Sequence, residues 1–227
     1  MNPAIDSALG TCFLPLTLGN AAHAASDTRH PLRGVWSAAL ALALTALSPG
    51  ASAENHPADR WELAVEAGYL EKVKENSPLD YTIVPLQAAW RSPAFLDLWN
   101  WENGARLSVR HRIAVVLETY LEGGEDYYFA FAGAPTFELW NPRRTAALFF
   151  EIGGGAGLTN SKDVVGGQGQ DFTFNWFTQA GLRHQFDARR ALTLAGYFTH
   201  HSNLGMTDPN PGIDVLGVNV GMVWQYD

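Results

Sequence analysis

Apolar and polar residues alternate with a period of two along much of the chain. From Phe172 to Phe186 the even positions are mostly apolar or aromatic, whereas the odd positions are mainly Thr, Asn, Gln, Gly and Arg. From Gly212 to Trp224 the even positions after Asp214 are again apolar and face Gly and Asn positions. Successive side chains of a β-strand point to opposite faces, so this alternation predicts long strands with one apolar and one polar face.

The same test along the rest of the chain predicts eight strands, with no helix, repeat or linker that would divide them. The predicted strands lie near 61–69, 81–90, 106–121, 127–140, 144–158, 172–186, 190–202 and 212–224. The chain is therefore expected to form one all-β domain.

Two architectures fit strands of this kind. In a soluble sandwich or lipocalin-like barrel the apolar face points inward, whereas in an outer-membrane barrel it faces lipid and the polar face fills the interior. The polar face carries Glu62, Glu66, Glu151 and Arg183. Such charges can pair inside a small barrel, and we expect Glu151 and Arg183 to do so. The pattern favours an eight-stranded antiparallel up-and-down transmembrane β-barrel.

The first 53 residues are interpreted as an upstream extension followed by a signal peptide. Arg29 and Arg33 precede an apolar run at 35–47, and the small-residue sequence Ala-Ser-Ala follows at 51–53. This order is typical of a secretory signal. We therefore expect a signal at about 29–53, cleavage after Ala53 and a barrel domain at 54–227. The one cysteine, Cys12, then lies outside the mature domain.

Charge narrows the function further. The chain carries a formal net charge of −8, with 15 basic and 23 acidic residues. Nucleic-acid binding requires a basic face, so nucleic acid is not expected as a partner.

Three residues that carry chemistry fall on the apolar face near the loop between the last two strands. His200 and Ser202 are two apart on one strand, and Asp214 lies in register with the apolar positions of the next. Polar groups on a lipid-facing surface favour a functional explanation. A serine hydroxyl activated by histidine, with a carboxylate orienting the ring, is a nucleophile for acyl transfer. Asn203 could supply a donor for the oxyanion.

Other interpretations of this segment stay open at this point. Polar side chains near a strand end also occur simply because they meet lipid headgroups. His200 and His201 cannot chelate one metal together, because adjacent strand residues point to opposite faces. No metal or organic cofactor is predicted.

The segment resembles the lipid A 3-O-deacylases, the PagL-type outer-membrane family. The family pattern His-x-Ser-Asn is matched by residues 200–203, and its Asn-Pro-Gly loop by residues 210–212. The resemblance implies an outer-membrane barrel in a Gram-negative bacterium that hydrolyses the 3-position ester of lipid A without a cofactor. It implies His200 as general base, Ser202 as nucleophile and Asn203 as part of the oxyanion hole. Lipid A and the surrounding outer-membrane lipids are the implied partners.

The chain departs from the family at the third catalytic position, where Asp214 stands in place of glutamate. Aspartate keeps the charge but is one methylene shorter, so it is expected to reach the imidazole less easily. The alternative to a Ser-His-Asp esterase is therefore a catalytically silent barrel of the same family with a structural role in the envelope. The sequence leaves open whether the barrel acts alone or as a homodimer.

Overall fold

A computed structural model describes residues 55–74 and 77–227. Within these ranges the chain forms one short 3₁₀ helix at Pro57–Asp59 and nine strands. The strands are β1 (Trp61–Lys72), β2 (Thr82–Arg91), β3 (Leu96–Asn100), β4 (Arg106–Glu122), β5 (Tyr127–Trp140), β6 (Ala146–Thr159), β7 (Phe172–Gln185), β8 (Arg190–Ser202) and β9 (Ile213–Tyr226). The predicted signal peptide lies outside the described residues and stays a prediction.

The strands close into an antiparallel barrel with eight strand positions. Among the described strands, neighbours along the chain pair antiparallel except β2 with β3, and β1 closes the ring by pairing with both β2 and β9. Both β2 and β3 pair with β4, with β2 along residues 112–122 and β3 along 106–109. They therefore occupy one strand position between them, so that the barrel is eight-stranded. The predicted fold class is confirmed.

The barrel is apolar outside and polar inside. On β1 the side chains of Leu63 and Val65 are exposed, whereas Glu62 and Glu66 are buried in the interior. A soluble barrel would have the opposite arrangement, so the lipid-facing alternative is the correct one. Among residues 55–74 and 77–227, no helix is long and apolar enough to cross a membrane.

The interior charges of the described chain include two quartets, each with two carboxylates and two guanidinium groups. Arg110 and Arg183 contact Glu62 and Glu138 in the first quartet. Arg91 and Arg112 contact Glu66 and Glu151 in the second. The expected pair of Glu151 with Arg183 is wrong, because the two belong to different quartets. Each quartet balances its charges, which buried ions require.

The barrel has two distinct ends. The described amino-terminal residues and the carboxyl terminus lie at one end, together with the turns before β4, β6 and β8. The opposite end, called the loop end below, carries the connections β1–β2, β4–β5, β6–β7 and β8–β9. His200, Ser202 and Asp214 all lie at the loop end, because β8 ends there and β9 begins there.

His56, at the terminal end, is expected to make the barrel sensitive to acid. Its Nδ1 accepts the N–H of Ala58 at 3.1 Å, so the ring must be neutral to keep this bond. Burial and the Arg106 guanidinium lower the pKa of His56 from 6.5 to about 4. Since unfolded chains take up a proton near pH 6.5, the barrel should lose stability as the pH falls from about 6.5 towards 4.

Urea unfolding of the refolded barrel at pH 7.5 and pH 5 measures this loss. His56→Asn keeps a side-chain acceptor but does not titrate, so its unfolding midpoint should change less between the two pH values. An equal change in wild type and variant would show that His56 is not the acid-sensitive group.

Candidate active site

His200 and Asp214 form a hydrogen-bonded pair across the last two strands. The two residues are direct partners in the β8–β9 register, and His200 Nδ1 lies 2.9 Å from Asp214 Oδ1. The Asp214 side chain is 2% exposed, whereas that of His200 is 25% exposed. The shorter carboxylate therefore reaches the imidazole without displacement of a strand. With Nδ1 occupied by the carboxylate, Nε2 is the nitrogen left for a substrate.

Ser202 lies two residues beyond His200 on the same face of β8 and is partly exposed. Its Oγ lies 3.1 Å from Asn210 Nδ2 and accepts the N–H of Leu204 at 3.0 Å. In the part of the chain that the structure describes, its hydrogen bonds are to these two residues and not to His200. The hydrogen bond between a catalytic serine and its histidine is often long or absent in a free enzyme and forms when substrate binds.

Asn203 holds the β8–β9 loop in place. Its side chain is fully buried, and Nδ2 donates to the carbonyls of Gln168 and Thr207, each at 2.6 Å. Its backbone N–H donates to Asn210 Oδ1 at 3.0 Å. The side-chain and backbone N–H groups of Asn203, which could serve an oxyanion, are therefore engaged with other groups. The backbone N–H nevertheless orients the amide of Asn210.

His201 points into the barrel, opposite to His200, as predicted from strand geometry. Its ring packs edge-on against Tyr128 at 4.7 Å between centroids, and Nε2 lies 3.1 Å from the buried Glu118 carboxylate. The two adjacent histidines therefore serve different environments. His201 holds the end of β8 from the inside, whereas His200 is presented on the outside.

Two residues near the site were missed by the sequence analysis. Asn210 was noted only as part of a loop pattern, but its carboxamide contacts the Ser202 hydroxyl. Lys74 follows β1, and its Nζ lies 3.4 Å from Asp214 Oδ1. The Asn-Pro-Gly loop was a usable signal for Asn210. No local pattern marks Lys74, because its contact depends on the register of β1 with β9.

Aromatic side chains surround the pair on the outer face. Trp176 is the direct β7 partner of His200, and Phe198 precedes it on the same face of β8. The Trp176 ring lies 5.0 Å from that of Phe198 and 6.1 Å from the His200 ring. The site therefore presents a base, a carboxylate and a hydroxyl at the edge of an apolar surface. This arrangement suits an ester that carries a long hydrocarbon chain.

Comparison with known proteins bears on the family. The family model described as "Lipid A 3-O-deacylase (PagL)" matches residues 86–223, which include His200, Ser202, Asn210 and Asp214. No curated protein matches the chain. The crystal structure of the outer membrane enzyme PagL is similar with 17% identity and a TM-score of 0.51, covering 70% of this chain and 97% of that one. Neisserial surface protein A has 8% identity and a TM-score of 0.43, with 73% and 97% covered.

The structural similarity agrees with the barrel fold, and the family match spans more than half of the 227 residues. The chain belongs to the lipid A 3-O-deacylase (PagL) family.

Proposed function

We propose that this chain is a lipid A 3-O-deacylase of the outer membrane that uses Ser202 as nucleophile and His200 as base. The observation that carries the proposal is the 2.9 Å contact of His200 with the buried Asp214, next to Ser202 on the outer surface. A histidine oriented by a carboxylate beside a serine is the arrangement that activates a hydroxyl near neutral pH.

The reaction proceeds in two steps. The hydroxyl hydrogen of Ser202 turns from Asn210 Oδ1 towards His200 and passes to Nε2, while Oγ stays beside Asn210 Nδ2 and attacks the carbonyl carbon of the 3-position ester. Collapse of the tetrahedral intermediate breaks the bond to the sugar oxygen, which takes the proton from Nε2. Water then attacks the acyl-enzyme with His200 again as base, and a 3-hydroxy fatty acid leaves. Asp214 stabilises the imidazolium in both steps.

Asn210 supplies the oxyanion donor in this proposal. Its Nδ2 lies 3.1 Å from Ser202 Oγ, the atom that becomes bonded to the substrate carbonyl carbon. The carbonyl oxygen therefore develops its charge close to this amide, where a fixed donor has its largest effect. Asn203 acts one step away, because its N–H fixes Asn210 Oδ1 and leaves Nδ2 directed at the reacting atoms.

The placement of the site supports lipid A as substrate. The site lies at the loop end, opposite both termini of the barrel domain, and faces the apolar exterior. Barrels of this class keep short turns on the periplasmic side and longer loops outside, so the loop end is assigned to the outer leaflet. That leaflet is built from lipid A.

Mass spectrometry of lipid A from Gram-negative cells tests the function. Cells that express the wild-type barrel should lose one 3-hydroxyacyl group per lipid A, because hydrolysis at position 3 releases that chain. Cells with Ser202→Ala at an equal amount of folded barrel should keep it. Equal loss with both proteins would place the nucleophile elsewhere.

A catalytically silent barrel is the second candidate. It is favoured by the contacts of Ser202, which are to Asn210 and Leu204, and by the Lys74 ammonium beside Asp214. Unchanged lipid A in cells that hold the folded wild-type barrel would support this role in the envelope and overturn the deacylase.

A further inference from the structure

Lys74 shares the carboxylate oxygen that orients His200. Its Nζ lies 3.4 Å from Asp214 Oδ1, the same atom that contacts His200 Nδ1 at 2.9 Å. The backbone before it is fixed, because the N–H of Val73 donates to the Asp214 carbonyl at 3.0 Å and extends the pairing of β1 with β9. The ammonium therefore lies beside the catalytic pair on a chain segment whose preceding residue is fixed by the barrel.

A permanent cation at this position opposes the chemistry proposed for the site. During attack the Asp214 carboxylate has to stabilise a positive imidazolium, and a second positive charge on the same oxygen weakens that stabilisation. The arrangement is unfavourable for catalysis unless the lysine finds another partner when the substrate is bound.

Lys74 is placed to find such a partner on the substrate. Its side chain is 60% exposed, whereas that of Asp214 is 2% exposed. Among the described residues the loop end has two further lysines, and of these Lys72 is occupied with Asp80 at 3.5 Å while Lys162 lies in the β6–β7 loop. Lys74 is thus the lysine at this end that combines an open outer surface with contact to the catalytic pair.

We infer that Lys74 binds a phosphate monoester on the sugar that carries the scissile ester, and that this contact releases Asp214 to His200. The inference rests on the proposed function. Lipid A is built on phosphorylated glucosamine, and position 1 of the sugar lies two ring carbons from position 3. A phosphate carries more charge than a carboxylate, and lysine binds it as a compact point charge. Substrate recognition and activation of the base are then one event.

Kinetics with purified barrel in a neutral detergent test the inference. The substrates are lipid A and the same lipid lacking the phosphate of the ester-bearing sugar. Wild type should have about tenfold lower kcat/KM on the dephosphorylated lipid, the effect of one charge-assisted hydrogen bond. Lys74→Gln should lose the same factor on lipid A and no longer distinguish the two lipids. Lys74→Arg should restore much of the preference, and Lys162→Gln should behave as wild type.

The two parameters separate the two roles of Lys74. Loss of the phosphate contact should raise KM, whereas the release of Asp214 should make kcat of Lys74→Gln on the dephosphorylated lipid equal to or above that of wild type. If Lys74 only supports the fold, Lys74→Gln should lower kcat/KM equally for both lipids. That result, or an unchanged preference for the phosphorylated lipid, would overturn the inference.

Two further outcomes identify the source of a failure. Addition of phosphatidylglycerol should not restore hydrolysis of the dephosphorylated lipid. Restoration would place the phosphate on a neighbouring lipid and contradict the inference. A folded wild-type barrel without activity on either lipid would overturn the proposed deacylase itself, together with the inference.

Discussion

Replacement of Asp214 by asparagine should lower the rate of ester hydrolysis by about 10⁴-fold, the loss that the corresponding change causes in serine hydrolases with a triad. The amide has nearly the shape of the carboxylate, so the fold and the exposed edge of His200 stay in place. It carries no charge to stabilise the imidazolium, and its NH₂ group can hold the ring in the wrong tautomer.

Asp214→Glu should behave differently, and its rate of ester hydrolysis should stay within about tenfold of wild type. This change is smaller than the effect of losing one hydrogen bond to a charged group. The native aspartate already reaches Nδ1 at 2.9 Å, so an extra methylene adds no contact that is missing. A gain of several fold would show that the short side chain limits the reaction.

Release of 3-hydroxy fatty acid from lipid A by purified barrels measures both variants. The amount of folded protein is matched by the heat-dependent shift on a gel. Asp163→Asn is the control, because this exposed carboxylate lies in the β6–β7 loop at the same end of the barrel. If Asp214→Asn is as active as this control, Asp214 does not contribute to catalysis.

The strands were predictable because a lipid-facing barrel requires apolar and polar residues to alternate with a period of two along its strands. The predicted strand at 190–202 coincides with β8 (Arg190–Ser202), and that at 127–140 with β5 (Tyr127–Trp140). The short β3 (Leu96–Asn100) was missed, because all five of its side chains are exposed and no alternation between an inner and an outer face marks it.

The faces of the candidate site residues were also predictable, but their contacts were not. Alternation placed His200 and Asp214 on the outer face, and the β8–β9 register brings them together. The alternation did not indicate that the segment after β1 covers Asp214. The Asn203 side chain depends on a contact with the Gln168 carbonyl, far away in sequence, and no local pattern encodes that contact. Asn210 contacts the nearby Ser202 and Asn203, and the loop pattern marks the residue but not these contacts.

Glu151→Gln should reduce the free energy of unfolding by about 3–5 kcal/mol, the usual cost of removing one partner from a buried ion pair. Glu151 is fully buried, and its Oε1 accepts from Arg91 at 3.2 Å and from Thr136 at 2.7 Å. Its Oε2 lies 3.3 Å from Arg112 and contacts Gln179. The neutral amide is almost isosteric, so packing is kept, but the charge is lost and one accepting oxygen becomes an NH₂ group that faces other donors.

The loss is large because the quartet has no spare carboxylate. Without the charge of Glu151, Arg91 and Arg112 share the single carboxylate of Glu66. The other quartet cannot compensate, since Glu62 and Glu138 are already engaged by Arg110 and Arg183. A buried positive charge then remains uncompensated in the interior, where water cannot solvate it fully.

Urea unfolding of the refolded barrel tests this expectation against Glu102→Gln. Glu102 is an exposed carboxylate in the turn before β4, so its replacement should change the free energy of unfolding by at most about 0.5 kcal/mol. Equal unfolding midpoints for the two variants would show that the quartet does not stabilise the barrel. The hydrolysis rate per folded barrel should stay near wild type in Glu151→Gln, because Glu151 faces the interior whereas His200 is presented on the outer surface. A folded variant that loses activity as well would mean that the interior charges also position the candidate site residues on the outer surface.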